Sequence, residues 1–127
     1  MPYANALNSQ YVQFISPTIN FKTVALTTIF TPFYDLVVTN FTEYCSLSTG
    51  ANQDSVWSIG WTAATYEDFI TSGSEVFNTM QGTYKSNSST FQVLLFPAGT
   101  PIRINVTSAE TGTALQGKFF FNGFYFT

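Results

Sequence analysis

The chain has 127 residues, of which 45% are hydrophobic, 18% aromatic and only 9% charged. The length suits a single domain, and the aromatic content excludes an intrinsically disordered chain, which is poor in aromatic residues and rich in charge. A net charge of −3 with four basic residues excludes a basic nucleic-acid-binding surface, and no apolar run reaches the length of a membrane-spanning helix.

The first 20 residues differ from the rest of the chain. Residues 1–20 contain two prolines, several Asn and Gln residues, and the widely spaced aromatic residues Tyr3, Tyr11 and Phe14. This pattern does not indicate a core strand and leaves two interpretations, a frayed terminus or an extended arm that docks on a neighbouring subunit. We predict an arm over residues 1–20, whose removal up to Pro17 would weaken assembly but leave a folded domain over residues 21–127.

The rest of the chain has the residues of a β protein, with 14 Phe, 7 Tyr and many Thr, Val and Ile residues. Apolar residues recur with period two in short runs separated by turn-forming residues. The runs are Val24 to Phe30, Leu36 to Phe41 with an extension toward Cys45, Val56 to Trp61, Phe91 to Phe96, Ile102 to Thr107 and Gly117 to Phe126. Asn122 and Gly123 could form a hairpin turn or mark a bulge in the last strand.

Residues 62–89 are the hardest to interpret. Tyr66 to Ile70 could form one helical turn or a strand, and Gly82 to Tyr84 could form another short strand. With about six to eight strands and frequent turns, the sequence predicts an all-β fold, an antiparallel β-sandwich with the N-terminal arm outside it. Eight strands would fit a jelly roll.

Both faces of the most apolar runs need to be covered. In the last run Phe119 and Phe121 would lie on one face and Phe120 on the other. Soluble monomers rarely expose large apolar patches, and the few charges of this chain add little solubility. We therefore expect a homo-oligomer, with a trimer favoured, although the loops of a compact sandwich could cover both faces instead. The candidate interface residues are Tyr3, Tyr11, Phe14, Phe96, Arg103, Phe120 and Phe124.

The sequence offers little catalytic chemistry. It contains no histidine, which removes the commonest general base, proton shuttle and metal ligand. Cys45 has no histidine to activate it, so we interpret it as a buried, inert thiol. Asp54, Glu67, Asp68 and Glu75 lack the spacing of a calcium loop, and nothing fixes the carboxylate separation that a glycosidase needs. We expect no catalytic residues, no cofactor and no metal.

Two tryptophans could serve a different function. Trp57 and Trp61 lie in one predicted strand and would point to the same face. They could form an aromatic platform on which a sugar ring stacks, or they could pack in the core or in an interface. Arg103, on the outward face of its run, could pair with an acid across an interface or remain a lone surface charge.

The run FPAGTPIRI, Phe96 to Ile104, resembles a hairpin found in small β-sandwich proteins of tailed-phage particles. Residues 106–112, residues 115–118 and the terminal aromatic run are similar in layout, as are the two predicted strands of residues 24–41. The resemblance covers Phe21 to Thr127. It implies a structural role in the virion, as a capsid decoration protein or a fibre-associated subunit, often trimeric or placed on a capsid symmetry axis, and it implies no catalytic residues.

We therefore predict a non-enzymatic structural protein of a virus particle, a capsid decoration or stabilising subunit that buries apolar and aromatic surface against neighbouring subunits. Its expected partners are copies of itself and a major capsid or other virion protein, with no nucleic acid and no membrane. The sequence starts without an export signal, which fits assembly in the host cytoplasm and a final location in the virion. The alternative is a carbohydrate-binding or receptor-binding β-sandwich of the fibre or lectin type.

Overall fold

The computed structural model describes residues 9–87, 91 and 95–126, and these residues form nine strands and no helix, so none of them crosses a membrane as a helix. The strands are β1 (Ser9–Ile15), β2 (Ile19–Asn20), β3 (Ala25–Phe30), β4 (Asp35–Thr49), β5 (Val56–Gly60), β6 (Tyr84–Ser86), β7 (Leu95–Phe96), β8 (Ile102–Ser108) and β9 (Ala114–Phe126).

The strands form two antiparallel sheets. Sheet A has six strands in the order β1-β9-β4-β6, with β2 also paired to β9 and β7 also paired to β4. Sheet B has three strands in the order β3-β8-β5. Their inward side chains form one hydrophobic core. The predicted all-β antiparallel sandwich is confirmed.

The periodic runs correspond to β3, β4, β5, β8 and β9, with ends that differ by a few residues. In β8 the apolar residues Ile102, Ile104 and Val106 are buried, as the alternation predicts. The run Phe91 to Phe96 provides β7 at its end, and residues 92–94 lie outside the described residues.

The region 62–89 contains β6 and a long irregular stretch before it. The segment from Tyr66 to Ile70 forms neither a helix nor a strand, and Ile70 makes a single bridge to Ile59 of β5. This stretch has mixed polar and small residues without a period, so its path follows from tertiary contacts that the sequence pattern does not encode.

Residues 9–20 of the predicted arm lie in sheet A. β1 pairs along its whole length with the last part of β9, and β2 pairs with β9 further along. Phe14 points inward and stacks on Phe30 of sheet B, with ring centroids 4.3 Å apart. The expectation that this segment holds no strand is therefore corrected for residues 9–20. Residues 1–8 lie outside the described residues, and the boundary at residue 20 stays a prediction.

The two longest strands are kept in register by irregularities in β4. β4 has 15 residues and β9 has 13, and Thr39 and Ser46 of β4 are left without a partner across the pairing. The hydroxyl of each donates a hydrogen bond to a carbonyl oxygen of β9, at 3.3 Å for Thr39 and 3.2 Å for Ser46. Asn122 and Gly123 form no turn, because β9 continues through them opposite the first irregularity.

The core is built largely from aromatic rings. Phe41, Phe119 and Phe121 of sheet A are fully buried, and Phe119 packs on Trp57 of sheet B with ring centroids 5.2 Å apart. Phe77, from the irregular stretch before β6, closes the core from the side and lies 5.4 Å from Phe119. Burial of so many large rings accounts for a stable domain in a chain with one unpaired cysteine.

Candidate assembly surface

The two faces of sheet A differ in what covers them. Because side chains alternate along a strand, β9 points Phe119 and Phe121 into the core and points Phe120, Phe124 and Phe126 to the opposite face. Phe124 and Phe126 are exposed, and Phe120 is half-buried. The chain therefore carries large apolar rings on the outer face of sheet A.

Four outward side chains of sheet A lie side by side on adjacent strands. Tyr11 of β1 is paired with Phe124 of β9, Phe124 with Val37 of β4, and Val37 with Leu95 of β7. The rings of Tyr11 and Phe124 lie edge to face with centroids 5.2 Å apart. Tyr11 is 59% exposed, Phe124 41% and Leu95 48%. We call these four residues the outer apolar row.

More apolar side chains lie next to the outer apolar row. Phe126 lies on the same face of β9, and the loop before β4 presents Phe33, which is 87% exposed. Further along sheet A, Ile15 pairs with Phe120, and Phe120 in turn lies 5.8 Å from the ring of Tyr84. The apolar surface thus extends across β1, β9, β4 and the edge strands.

Charged side chains are few on this face. Among the described outward positions of sheet A, Asp35 stands at the start of β4, where its carboxylate accepts the backbone N–H of Ala98 at 2.8 Å, and Lys118 lies beyond Phe120. Between them, Gln13, Asn122 and Asn40 form a polar stripe in register across three strands. Such a face can be buried without removing many charges from water.

The outer face of sheet B is covered in part by the chain's own loop, over β5 and β8, while Leu26 of β3 stays 42% exposed. Ser58 points to this face yet has no exposed surface, and its hydroxyl donates to the carbonyl oxygen of Thr65 at 2.9 Å. The guanidinium of Arg103 lies over the ring of Tyr66 at 6.0 Å. Residues 61–68 therefore cover part of the outer face of sheet B. Nothing in the described part of the chain covers the outer face of sheet A in this way.

The candidate interface residues divide between surface and core. Tyr11, Phe124 and the half-buried Phe120 lie on the outer face of sheet A, where sequence reasoning placed an interface. Phe14 packs inside its own chain, and Phe96 is 0% exposed. Phe96 is corrected to a core residue, because β7 turns this side chain inward opposite Leu36. Tyr3 lies outside the described residues.

The two tryptophans and Arg103, the other candidate site residues, lie in different parts of the fold. Trp57 is 0% exposed, which leaves its ring no surface on which a sugar could stack, so of the two interpretations left open it takes the core position. Trp61 lies just after β5, half-buried, with its ring 5.3 Å from Phe96. Arg103 is half-buried beside Tyr66, and its pairing across an interface stays a prediction.

The carboxylates considered for calcium do not come together. Each accepts hydrogen bonds from a different part of the chain: Asp54 from Thr111, Glu67 from Ser72, Asp68 from Trp61 and Thr62, and Glu75 from Lys85. These hydrogen bonds lower the pKa of Asp54 and Glu67. Across residues 9–87, 91 and 95–126, no three His, Cys, Asp or Glu side chains are grouped so that they could hold a metal ion.

Two buried acids, Glu43 and Glu110, were missed by sequence reasoning. Glu43 points inward from β4 and has no exposed surface, and burial together with the nearby Glu75 raises its pKa to about 8. The signal was present, because Phe41, Glu43 and Cys45 alternate on the inward face of the same run. Burial likewise raises the pKa of the Cys45 thiol, which keeps it in the unreactive protonated form.

Two solved structures share this architecture. A chain of the capsid asymmetric unit of cyanophage Pam1 matches with a TM-score of 0.62 and 18% identity, over 94% of this chain and 87% of that one. A chain of the acid-stable capsid of Helicobacter pylori bacteriophage KHP30 matches with a TM-score of 0.54 and 12% identity, over 91% of this chain and 92% of that one. At these identities the likeness is one of fold, and at that level the predicted resemblance to phage-particle proteins is confirmed. No protein-family model and no curated protein sequence matches the chain.

Proposed function

We propose that this chain is a non-enzymatic structural subunit of a virus particle that stabilises the capsid by burying the outer apolar row against a neighbouring subunit. The outer apolar row is the observation that carries the proposal, since Tyr11, Phe124 and Leu95 are exposed together on a face with few charged side chains. The fold shared with chains of two phage capsids supports the same role.

The strand order supports a jelly-roll topology for this subunit. Sheet A contains β1, β9, β4 and β6 with β7, and sheet B contains β3, β8 and β5, extended by the bridge at Ile70. Along the chain, successive strands therefore cross from one sheet to the other, except between β1 and β2 and between β6 and β7, which stay in sheet A. Double-sheet jelly rolls of this kind occur in viral capsid and lectin domains. The uncovered sheet face favours assembly over sugar binding, because both Trp57 and Trp61 lie away from it.

The proposed partners are copies of this chain, with a trimer favoured, and the major capsid protein or another virion protein. As a decoration subunit it would act in the virion, after assembly in the host cytoplasm. At about 25 cal/mol per Å² of apolar surface, an interface of about 800 Å² per partner gives a gross gain that exceeds the cost of association. Few charges contribute, so the assembly should depend little on salt.

The test is the native mass of the protein, measured by light scattering after size exclusion, for the wild type and for the double variant Tyr11→Ser/Phe124→Ser. We expect the wild type to form an oligomer whose mass is unchanged by added salt. The double variant should keep its circular dichroism spectrum, because both side chains point away from the core. Loss of two aromatic contacts should raise the dissociation constant about 100-fold or more.

Met80→Ser provides the matched control. Met80 is 68% exposed and lies in the stretch beside the far end of β4, where Gln81 accepts the backbone N–H of Ser48. Its replacement removes a similar apolar surface at a distance from the outer apolar row and should leave the native mass unchanged. The proposal fails if the double variant associates as tightly as the wild type, or if Met80→Ser weakens association equally.

A further inference from the structure

The buried acid Glu43 belongs to a group of polar side chains that hold one segment of the chain against sheet A. The segment, residues 71–83, runs from the bridge at Ile70 to the start of β6. One carboxylate oxygen of Glu43 accepts the backbone N–H of Asn78 at 2.7 Å, and the other accepts the side-chain amide of Asn87. A fully buried carboxyl group on β4 thus binds the middle of the segment directly.

Glu75 of the same segment comes close to Glu43. Lys85 of β6 is paired with Glu43 across the sheet, and its ammonium nitrogen lies 2.6 Å from a carboxylate oxygen of Glu75, so both acids stand near the same cation. The side chain of Glu75 is 4% exposed, while that of Lys85 is 43% exposed. Two buried acids therefore have one partly exposed cation between them. Two carboxyl groups can share a hydrogen bond only while one of them is protonated.

We propose that Glu43 and Glu75 hold one proton between them and that this proton fastens the 71–83 segment to sheet A, so that the segment opens when the proton is lost at alkaline pH. The charged groups that face Glu43 are Glu75 from the segment and Lys85 from β6. β9 presents Phe119 opposite Glu43, and the next inward group on β4 is the Cys45 thiol. With both acids ionised, Lys85 can balance only one of the two charges.

Opening of the segment would expose core surface. Phe77 of the segment is 1% exposed, and its ring lies 4.3 Å from that of Phe21. The segment is also tied to β4 through Gly82, whose N–H donates to the carbonyl oxygen of Cys45 at 2.8 Å. Loss of the shared proton would leave two like charges buried close together, and their repulsion and burial would favour opening of the segment, although the Asn78 N–H itself favours the ionised acid. The inference concerns the folded chain itself and does not depend on its role in assembly.

The stability of the closed segment should fall as the pH rises, whereas an acid whose pKa is lowered in the folded state adds stability as the pH rises. The pKa of Glu43 is raised from 4.5 to about 8 by burial and by Glu75, so between these values the closed state retains a proton that the open state releases. The closed state is therefore most stable below about pH 4.5 and loses stability as the pH rises toward 8. In that window the opening equilibrium should increase by up to about tenfold for each unit of pH.

The test is amide hydrogen exchange of the full chain, followed by NMR from about pH 5 to about pH 9 and corrected for the intrinsic pH dependence of exchange. Protection of the Asn78 and Gly82 amides should fall as the pH rises. Protection of the Gly99 amide, which donates to the carbonyl oxygen of Pro32 at 2.7 Å away from the segment, should stay constant. Equal protection of the Asn78 and Gly82 amides at both ends of the range would overturn the proposal.

Three variants distinguish an effect of the shared proton from an effect of side-chain packing on the opening of the segment. Glu43→Gln imitates the protonated acid and should abolish the pH dependence of protection at the Asn78 amide. Glu75→Gln removes the competing charge and should reduce that dependence, because burial alone still raises the pKa of Glu43. Glu67→Gln makes the same change in a carboxylate outside this group. In this variant the pH dependence of protection at the Asn78 amide should remain. If Glu43→Gln fails to fold, carbon NMR of the wild-type carboxyl groups decides: one glutamate titrating near pH 8 supports the proposal, and ordinary acidic titration of all of them contradicts it.

Discussion

Gly117 and Gly123 of β9 lie where the backbone of β4 leaves no room for a side chain. A Cβ atom at Gly123 would stand 1.9 Å from the carbonyl oxygen of Val37, and one at Gly117 would stand 2.2 Å from that of Tyr44. Each glycine pairs at an irregularity of β4, next to Thr39 or Ser46. The local twist at such irregularities brings the two backbones together, and only glycine fits there.

Replacement of Gly123 by alanine should therefore destabilise the protein by about 3 kcal/mol or more, because the clash is with backbone that cannot turn aside. Gly99→Ala is the comparison. Gly99 has a positive φ of 69°, and no atom lies within 4 Å of the position that a Cβ would take. The alanine variant should therefore lose only the backbone strain energy of about 1 kcal/mol. Chemical denaturation measures both. Equal losses of unfolding free energy in the two variants would show that the close approach of the β4 backbone to Gly123 is unimportant.

At the scale of strands, the last strand of the chain depends on the first. β9 lies between β4 and β1 in sheet A, and β1 protects one long edge of it. Phe14 of β1 also stacks on Phe30 of sheet B, which closes the sandwich at this side. β1 therefore contributes both backbone pairing and core packing, so we now expect removal of residues 1–17 to destabilise the domain, which from the sequence alone was expected to stay folded.

Two deletions test this dependence. Removal of residues 1–17 eliminates β1 and should lower the midpoint of thermal unfolding strongly or prevent folding. Removal of residues 1–8 keeps every strand of the structure and should leave the midpoint nearly unchanged. If the arm contributes to assembly through Tyr3, the shorter deletion should lower the native mass without loss of stability. A stable, folded chain after removal of residues 1–17 would contradict the importance of β1.

The strands that could be predicted from the sequence are those whose pattern reflects burial on one face. β8 is the clearest, with Ile102, Ile104 and Val106 inward, as expected from period two alone. β1 could not be found this way, because Gln10 and Gln13 interrupt its apolar positions and its partner is over 100 residues away in the chain. Long-range pairing decides such strands, and no local pattern records it.

At the scale of the whole molecule, the candidate surface was predicted in part. The two-sided apolar character of β9 indicated an uncovered face and correctly placed Phe120 and Phe124 on it. The pattern could not show how much of each sheet stays open, because residues 61–68 have no periodicity and yet cover β5 of sheet B, where Ser58 is buried beneath them. For the same reason Phe96 was assigned to an interface although β7 turns it into the core.

The measurement that tests the central claim most directly is hydroxyl-radical footprinting of the protein, compared between dilute solution and its assembled state. Assembly through the outer face of sheet A predicts that Tyr11, Phe124 and Leu95 become protected when the protein associates. Val24, which is 61% exposed and precedes β3 of sheet B, should remain as reactive as before. Unchanged labelling of Tyr11 and Phe124 in an assembled sample, with protection elsewhere, would contradict the account.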